Sequence, residues 1–266
     1  MFTTLALAAA LSLAPAQGGL QLTNNRLTVG ELGPTRNSNK LIPGDLLFIG
    51  FDIEGLTIDP EGTAKYTMAM EVTDAANKII FKQDAREMID FVPLRGNKIP
   101  ARGFIVVGLD QEAGNYVCKI TVTDPATKAM QSLNTKFEVL KKDFAIVGVF
   151  TSHDERGALS ASTTGVVGQT MFMQMTVANF QRDDKTKQPR VEFEYTILDE
   201  KGQPTLGKPR IDNSPAKVDE KEGAFAWRYP MFMSRPGKFT MKVTARDKVA
   251  NKSSTYELPI TVLSPN

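Results

Sequence analysis

GNYVCKITVTD at residues 114–124 decides the fold, because it recurs about 124 residues further along as GKFTMKVTARD at residues 237–247. Each copy then runs to an apolar end, at residues 137–140 in the first and at residues 260–263 in the second. A unit of this length corresponds to a whole domain rather than to a short solenoid repeat. We therefore interpret the chain as one domain design that occurs twice.

Both halves alternate apolar and polar residues over short segments, which is typical of a strand with one buried face. Turn residues separate these segments, and each half holds about seven of them, as an immunoglobulin-like sandwich does. Residues 83–91 are expected to form one short helical turn at most. The predicted fold class is all-β, with two tandem immunoglobulin-like β-sandwich domains after a cleaved signal peptide. The clearest matched positions are Leu47, Ile49, Phe51 and Ile53 in the first half, and Met171, Met173, Met175 and Val177 in the second.

Residues 1–16 are uncharged and contain an apolar run that ends in small residues at Ala14 and Ala16. This pattern predicts a secretory signal peptide that is cut before Gln17. The run is shorter than the roughly 20 apolar residues that a membrane-spanning helix needs, so no membrane span is expected. The predicted units are the signal peptide at 1–16, a first sandwich domain at 17–141 and a second at 142–266. The predicted localisation is secreted or periplasmic.

Charge is balanced along the chain: residues 17–141 carry 14 basic and 15 acidic side chains, and residues 142–266 carry 18 and 15. Neither half has the basic excess of a phosphate-binding surface, so nucleic acid is not an expected partner. The single cysteine, Cys118, cannot form an internal disulfide. It aligns with Met241 of the second copy, and we expect a buried, inert thiol.

Residues 112–118, EAGNYVC, resemble the immunoglobulin motif in which a tyrosine precedes the second cysteine by two residues. The resemblance implies that Tyr116 packs at a strand corner and hydrogen-bonds back to the chain. Phe239, its match, has no hydroxyl and is expected to lack that bond. No partner cysteine stands at Ile49 or Phe51, so the domain is not of the antibody type. The whole mature chain is similar to secreted bacterial proteins of tandem immunoglobulin-like domains with no assigned activity, which implies a fold and export but no catalytic residue.

Several apolar residues suit either a core or a binding surface. Trp227 aligns with Phe104 and Tyr229 with Val106 across the repeat, which favours a buried face over a sugar-stacking platform. Phe48 and Phe172 are matched across the repeat and point away from the alternating core faces. For both, an interface between the domains or with a partner is the preferred interpretation. The candidate partner or ligand surface comprises Phe48, Phe172, Trp227, Tyr229, Met231, Phe232 and Met233.

The second copy contains an insertion that places the only histidine, His153, beside Asp154 and Glu155. These side chains suit a metal site or an acid–base pair. A zinc site needs three or four ligands, and the chain offers no second histidine and no suitable cysteine. A solvated polar loop is therefore the preferred interpretation, with the metal or catalytic site as the alternative. Paired carboxylates such as Asp183 and Asp184 leave calcium binding at loop ends open.

The sequence has no nucleophile elbow, phosphate-binding loop or dinucleotide-binding motif. We therefore predict a non-enzymatic protein without a cofactor, exported to the cell envelope, where it acts as a structural or adhesive binding protein. One alternative is a pair of carbohydrate-binding modules that use Trp227 and Tyr229. Another is an envelope metal-handling protein or hydrolase centred on His153. The expected partner is an envelope protein or a polysaccharide, and the oligomeric state is not predicted.

Overall fold

The computed structural model describes residues 19–215 and 217–265, which form sixteen β-strands and no helix. The predicted all-β fold class is confirmed, whereas the predicted signal peptide at 1–16 lies outside the described residues. The strands of the first half are β1 (Gln21–Thr28), β2 (Lys40–Leu41), β3 (Leu46–Glu54), β4 (Thr63–Asp74), β5 (Ile79–Phe91), β6 (Lys98–Val106), β7 (Gly114–Thr123) and β8 (Met130–Val139). Those of the second half are β9 (Ala145–Ser152), β10 (Thr164–Val166), β11 (Thr170–Ala178), β12 (Val191–Leu198), β13 (Arg210–Asn213), β14 (Ala224–Phe232), β15 (Gly237–Asp247) and β16 (Lys252–Leu263).

Each half is a sandwich of a three-stranded and a five-stranded sheet with the same strand order. The first half has β1-β3-β6 and β2-β8-β7-β4-β5, and the second has β9-β11-β14 and β10-β16-β15-β12-β13. Every strand of the first half therefore has a counterpart in the second. Each half holds eight strands rather than about seven, because β2 and β10 are two and three residues long and too short to alternate visibly.

The helical turn predicted at residues 83–91 is wrong, because these residues belong to β5. β5 pairs antiparallel with β4 along its length, with two irregularities in the register. Most of its side chains are exposed on both faces. A strand without a buried face has no reason to alternate, and this is why its sequence gave a weak strand signal.

The matched core positions confirm the duplication. Cys118 and Met241 are both completely buried, and so are the alternating residues of β3 and β11. The two sandwiches have separate hydrophobic cores, one built around β3, β4 and β7 and the other around β11, β12 and β15. Burying a large apolar side chain contributes roughly 1.5–3 kcal/mol, so these strands supply much of the stability of each half.

The match of Trp227 with Phe104 is wrong. Phe51 of β3 pairs with Ala101, and Met175, its counterpart on β11, pairs with Trp227. Trp227 therefore corresponds to Ala101, three positions before Phe104. The spacing between copies drifts because the connecting loops differ in length, so one constant offset cannot align all strands.

The match of Tyr229 with Val106 is wrong for the same reason. Ile49 pairs with Gly103, and Met173, its counterpart, pairs with Tyr229. Tyr229 therefore corresponds to Gly103. At this point of the sandwich, the first copy has no side chain and the second has an aromatic ring.

Asp45 connects the two halves. Its carboxylate accepts a hydrogen bond from the backbone N–H of Gly148 at 2.9 Å and pairs with the Arg36 guanidinium at 2.8 Å. The predicted boundary after residue 141 stays a prediction; β8 ends at Val139 and β9 begins at Ala145 on either side of it. A small apolar cluster spans the junction and comprises Ile42, Leu109, Ala145, Val147, Ala178 and Ala224.

Candidate functional site

The open side of the first sandwich lies between two edge strands, β5 of one sheet and β6 of the other. β5 is 13 residues long and pairs with β4; within the part of the chain that the structure describes, no strand pairs with its other edge. Its first residues, Ile79, Ile80 and Phe81, are 51%, 40% and 43% exposed. An apolar edge strand with unpaired N–H and C=O groups is a template for another chain.

The matching edge of the second sandwich is much shorter. β13 has four residues, Arg210–Asn213, against the 13 of β5. Short edge strands are one way in which proteins prevent unwanted pairing. The long edge strand with an exposed apolar start is therefore a property of the first copy and not of the duplicated design.

A cavity of about 400 Å³ opens between β5 and β6. Buried Met70 and Ile120 line its inner part, and the exposed Phe81 and Phe104 line its mouth. A Cβ atom at Gly103 would lie 3.0 Å from Ile120 Cδ1 and 3.5 Å from Met70 Sδ. The cavity falls in the range of roughly 300–1,000 Å³ that is usual for ligand sites, and most of its lining is apolar.

Aromatic rings fill the corresponding space in the second sandwich. Trp227 stacks on Phe193 with ring centroids 4.9 Å apart, and its Nε1–H donates to the Tyr195 hydroxyl. Tyr229 stacks on Tyr195 at 4.3 Å. Burial raises the pKa of Tyr195 above its ordinary value. Trp227 and Tyr229 are half-buried and pack on the core, so they form an intramolecular stack rather than a free aromatic platform.

Four of the predicted surface residues line one cleft of about 300 Å³ beside this stack: Tyr229, Met231, Phe232 and Met233. Phe232 is exposed. The prediction that Met233 belongs to a partner or ligand surface is wrong, because Met233 is buried. Its thioether lies against Gly165, which has no side chain to compete for that space. Whether the remaining residues bind a partner stays a prediction.

Phe48 and Phe172 occupy matching, half-buried positions on the two three-stranded sheets. Phe48 packs against Phe104 with ring centroids 5.9 Å apart, so it adjoins the mouth of the cavity. Phe172 lies opposite Pro230 on β14. The structure therefore places one of the two phenylalanines beside the open side of the first sandwich.

Tyr116 forms the strand corner that the resemblance implies. Its hydroxyl donates to the Glu112 carbonyl at 2.7 Å and accepts a hydrogen bond from Gln111 Nε2 at 2.8 Å. Both Gln111 and Tyr116 line the cavity, so this corner also fixes one of its walls. Phe239 cannot form the bond and instead lies beneath the Arg235 guanidinium, 4.8 Å from its centre.

The inserted loop of the second copy is held together by Asp154. Its carboxylate accepts hydrogen bonds from the backbone N–H groups of Arg156 and Leu159 at 2.9 and 2.6 Å. These bonds, led by that of Leu159, hold the pKa of Asp154 below its ordinary value. His153 is exposed, and Glu155 pairs with Arg228. The three predicted polar residues therefore face different partners.

Metal-binding clusters and membrane-spanning helices are both missing from residues 19–215 and 217–265. These residues contain no group of three or more His, Cys, Asp or Glu side chains placed to hold a metal ion. Over the same residues, no helix has the length and hydropathy that crossing a bilayer requires. The predicted burial of the Cys118 thiol is confirmed, and this burial raises its pKa to about 12.

Sequence reasoning missed the open side of the first sandwich. The available signal was the run of three consecutive apolar residues Ile79, Ile80 and Phe81, in a segment that shows no alternation. Gly103 gave no signal, because its importance depends on the strand register that matches it with Tyr229.

No protein-family model matches the chain, and no curated protein matches its sequence. Red sea bream transglutaminase is 10% identical with a TM-score of 0.30, over 92% of this chain and 31% of that chain. The Pseudomonas fluorescens alkylpurine DNA glycosylase AlkC, bound to DNA with an abasic-site analogue, is 12% identical with a TM-score of 0.29, over 45% and 30%. The C-terminal domain of the Streptococcus agalactiae AgI/II polypeptide BspA is 8% identical with a TM-score of 0.31, over 91% and 100%. The chain matches less than a third of the length of the first two proteins, and similarity at this level bears on neither activity nor partner.

Proposed function

We propose that the chain is an exported, non-enzymatic binding protein of the cell envelope, and that it holds a partner protein along β5. Export is supported by the sequence pattern of residues 1–16. A non-enzymatic role is supported by the missing catalytic motifs of the sequence. The observation that carries the binding role is the long exposed edge strand, with an apolar start and a cavity beside it.

The partner contributes an extended, apolar segment that continues the five-stranded sheet beyond β5. In this mode of recognition, backbone hydrogen bonds supply affinity and alternate side chains enter pockets. Charge supports an apolar segment: after the apolar start of β5, Lys82 and Asp84 neutralise each other in an ion pair of 3.2 Å. The edge next to the cavity therefore offers neither sign of charge in excess.

The carbohydrate-binding alternative finds less support. A sugar needs an exposed ring face, and Trp227 is stacked on Phe193 with an angle of 4° between the ring planes. The metal or hydrolase alternative also finds less support, since the Asp154 carboxylate is engaged by loop amides.

Site-specific photo-crosslinking tests the proposal. A photoreactive side chain at position 79 of the mature chain is expected to capture an envelope protein through an apolar, extended segment. Ile211 of β13 provides a matched control, because it is 49% exposed and Ile79 is 51% exposed. The same side chain at position 211 is expected to capture nothing specific.

Phe81→Lys provides the second arm, because Phe81 is exposed and its replacement leaves the core intact. Capture from position 79 should disappear, while the far-ultraviolet circular dichroism and the thermal unfolding of the variant stay unchanged. Equal capture from positions 79 and 211, or capture that survives Phe81→Lys, would contradict the proposal.

A further inference from the structure

The two sandwiches differ in what fills the space between their edge strands. In the second sandwich, the ring of Tyr229 lies there and stacks on Tyr195. In the first, the strand registers place Gly103 where the second has Tyr229, and Met70 where it has Tyr195. A ring pair is thus replaced by a glycine, a flexible side chain and a cavity of about 400 Å³.

The walls of this cavity suit an aromatic ring. Met68 and Met70 line it, and methionine thioethers adapt to irregular shapes and make favourable contacts with ring edges. Phe81 at the mouth can pack face-on or edge-on against an entering ring. An aliphatic chain would gain the burial but not these ring contacts.

The polar groups of the lining further restrict the kind of side chain that the cavity can bind. They include the amides of Gln83 and Gln111, and the described lining residues include no carboxylate. Arg102 also borders the cavity, but its guanidinium pairs with Glu31. Amides can hydrogen-bond to an indole N–H, a phenol or the flanking peptide groups. The lining that the structure describes offers no carboxylate to pair with a cationic group, so an uncharged ring is favoured.

We propose that this cavity is an anchor pocket for an aromatic side chain, of tryptophan, tyrosine or phenylalanine, in the segment that pairs with β5. The pocket takes from the partner the ring that Tyr229 supplies within the second sandwich. This inference rests on the proposed function and names the residue type that the site selects. Aromatic anchors in central pockets carry much of the binding energy of protein interfaces.

Nuclear magnetic resonance of methionine methyl groups tests the pocket, because the ring current of a bound aromatic shifts only nearby methyls. The sample is residues 17–266 with ¹³C-methyl methionine, and the probes are N-acetyl-L-tryptophanamide and N-acetyl-L-leucinamide. The tryptophan amide should shift the methyls of Met68 and Met70 saturably and leave exposed Met130 unmoved. It should bind about fivefold more tightly than the leucine amide, as the added ring contacts predict.

Gly103→Tyr provides the matched variant, because it gives the first sandwich the residue of the second. The atoms nearest the new Cβ are the ends of the flexible Ile120 and Met70 side chains. The variant should lose the probe-induced shifts, whereas Ala226→Tyr, on an exposed position of β14, should keep them. The wild-type titration tests the proposal by itself if Gly103→Tyr does not fold.

The proposal is overturned if the leucine amide binds as tightly as the tryptophan amide, if neither shifts Met68 and Met70, or if folded Gly103→Tyr keeps the shifts. Failure of this proposal and of the proposed function can be distinguished. If Gly103→Tyr still captures the partner, pairing of a partner segment with β5 is supported and the aromatic pocket is refuted. If the tryptophan amide binds but nothing is captured from position 79, the aromatic pocket is supported and the proposed function, binding of a partner protein along β5, is refuted.

Discussion

Tyr116→Phe removes one oxygen atom from the corner of the first sandwich. The hydroxyl makes two hydrogen bonds, to the Glu112 carbonyl at 2.7 Å and from Gln111 Nε2 at 2.8 Å. The ring itself stays stacked on Phe137, with centroids 5.5 Å apart, so packing is preserved. Each lost bond costs about 0.5–1.5 kcal/mol, and we expect the first sandwich to lose about 1–2 kcal/mol.

Cys118 provides the assay, because it is the only cysteine and lies two residues from Tyr116 on β7. It is completely buried, and burial raises the pKa of its thiol to about 12, so a thiol reagent reacts only when the sandwich opens. When closing is faster than labelling, the rate follows the opening equilibrium. Tyr116→Phe should then speed labelling roughly 5- to 30-fold, since 1.4 kcal/mol is a factor of about ten.

Phe239→Tyr is the control, because Phe239 is the counterpart of Tyr116 in the second sandwich and has no such bond to lose. Its Cys118 labelling rate should stay within about twofold of the wild-type rate, because Phe239 packs on the core of the second sandwich and Cys118 lies in that of the first. A Tyr116→Phe rate equal to that of the wild type would refute the role of the corner. An equal acceleration by both variants would show that labelling does not report on the first sandwich.

Two further predictions concern the junction and the inserted loop. Gly30→Ala should destabilise the protein by about 1–3 kcal/mol more than Gly168→Ala in urea unfolding. Both glycines have positive φ, but a Cβ at Gly30 would lie 2.5 Å from Phe150 Cβ, whereas Gly168 has open space; equal losses would contradict the contact. The hydrogen bonds from backbone N–H groups lower the pKa of the Asp154 carboxylate. The carboxylate should therefore order the loop fully when the pH is above the ordinary pKa of an aspartate. This stabilisation should be lost as the pH falls through the lowered pKa. The protection of the Leu159 amide, meaning its exchange rate relative to that of an unstructured peptide at the same pH, should therefore fall at low pH and in Asp154→Ala at neutral pH. Unchanged protection in that variant would contradict the role of Asp154.

The duplicated framework could be predicted from the sequence because its signals are local. Alternation such as that of Leu47, Ile49 and Phe51 reports one buried face, and the repeat showed that Cys118 and Met241 share one environment. The corner at Tyr116 followed from a motif in adjacent residues. These features depend on neighbours in sequence, so no long-range pairing had to be known.

The candidate site could not be predicted, because it depends on pairing between distant strands. Trp227 was matched with Phe104 at a constant spacing, yet the register matches it with Ala101. The exposed start of β5 at Phe81 could not be distinguished from a buried strand by its composition alone. Only the sheet order shows that β5 is an edge.

The difference between Gly103 and Tyr229 shows where the requirements of core packing and of partner binding diverge. An apolar cavity lowers stability, because the groups that line it lose contacts that a filling side chain would provide. The second sandwich shows that this framework accepts a ring at the matching position, stacked at 4.3 Å on Tyr195. In the first sandwich, Ile120 Cδ1 lies 3.0 Å from the place of a Gly103 Cβ, so this side chain covers part of the matching position and the cavity lies beside it. We propose that an aromatic side chain of the partner fills this cavity, and that Gly103 leaves room for it beside the long edge of β5.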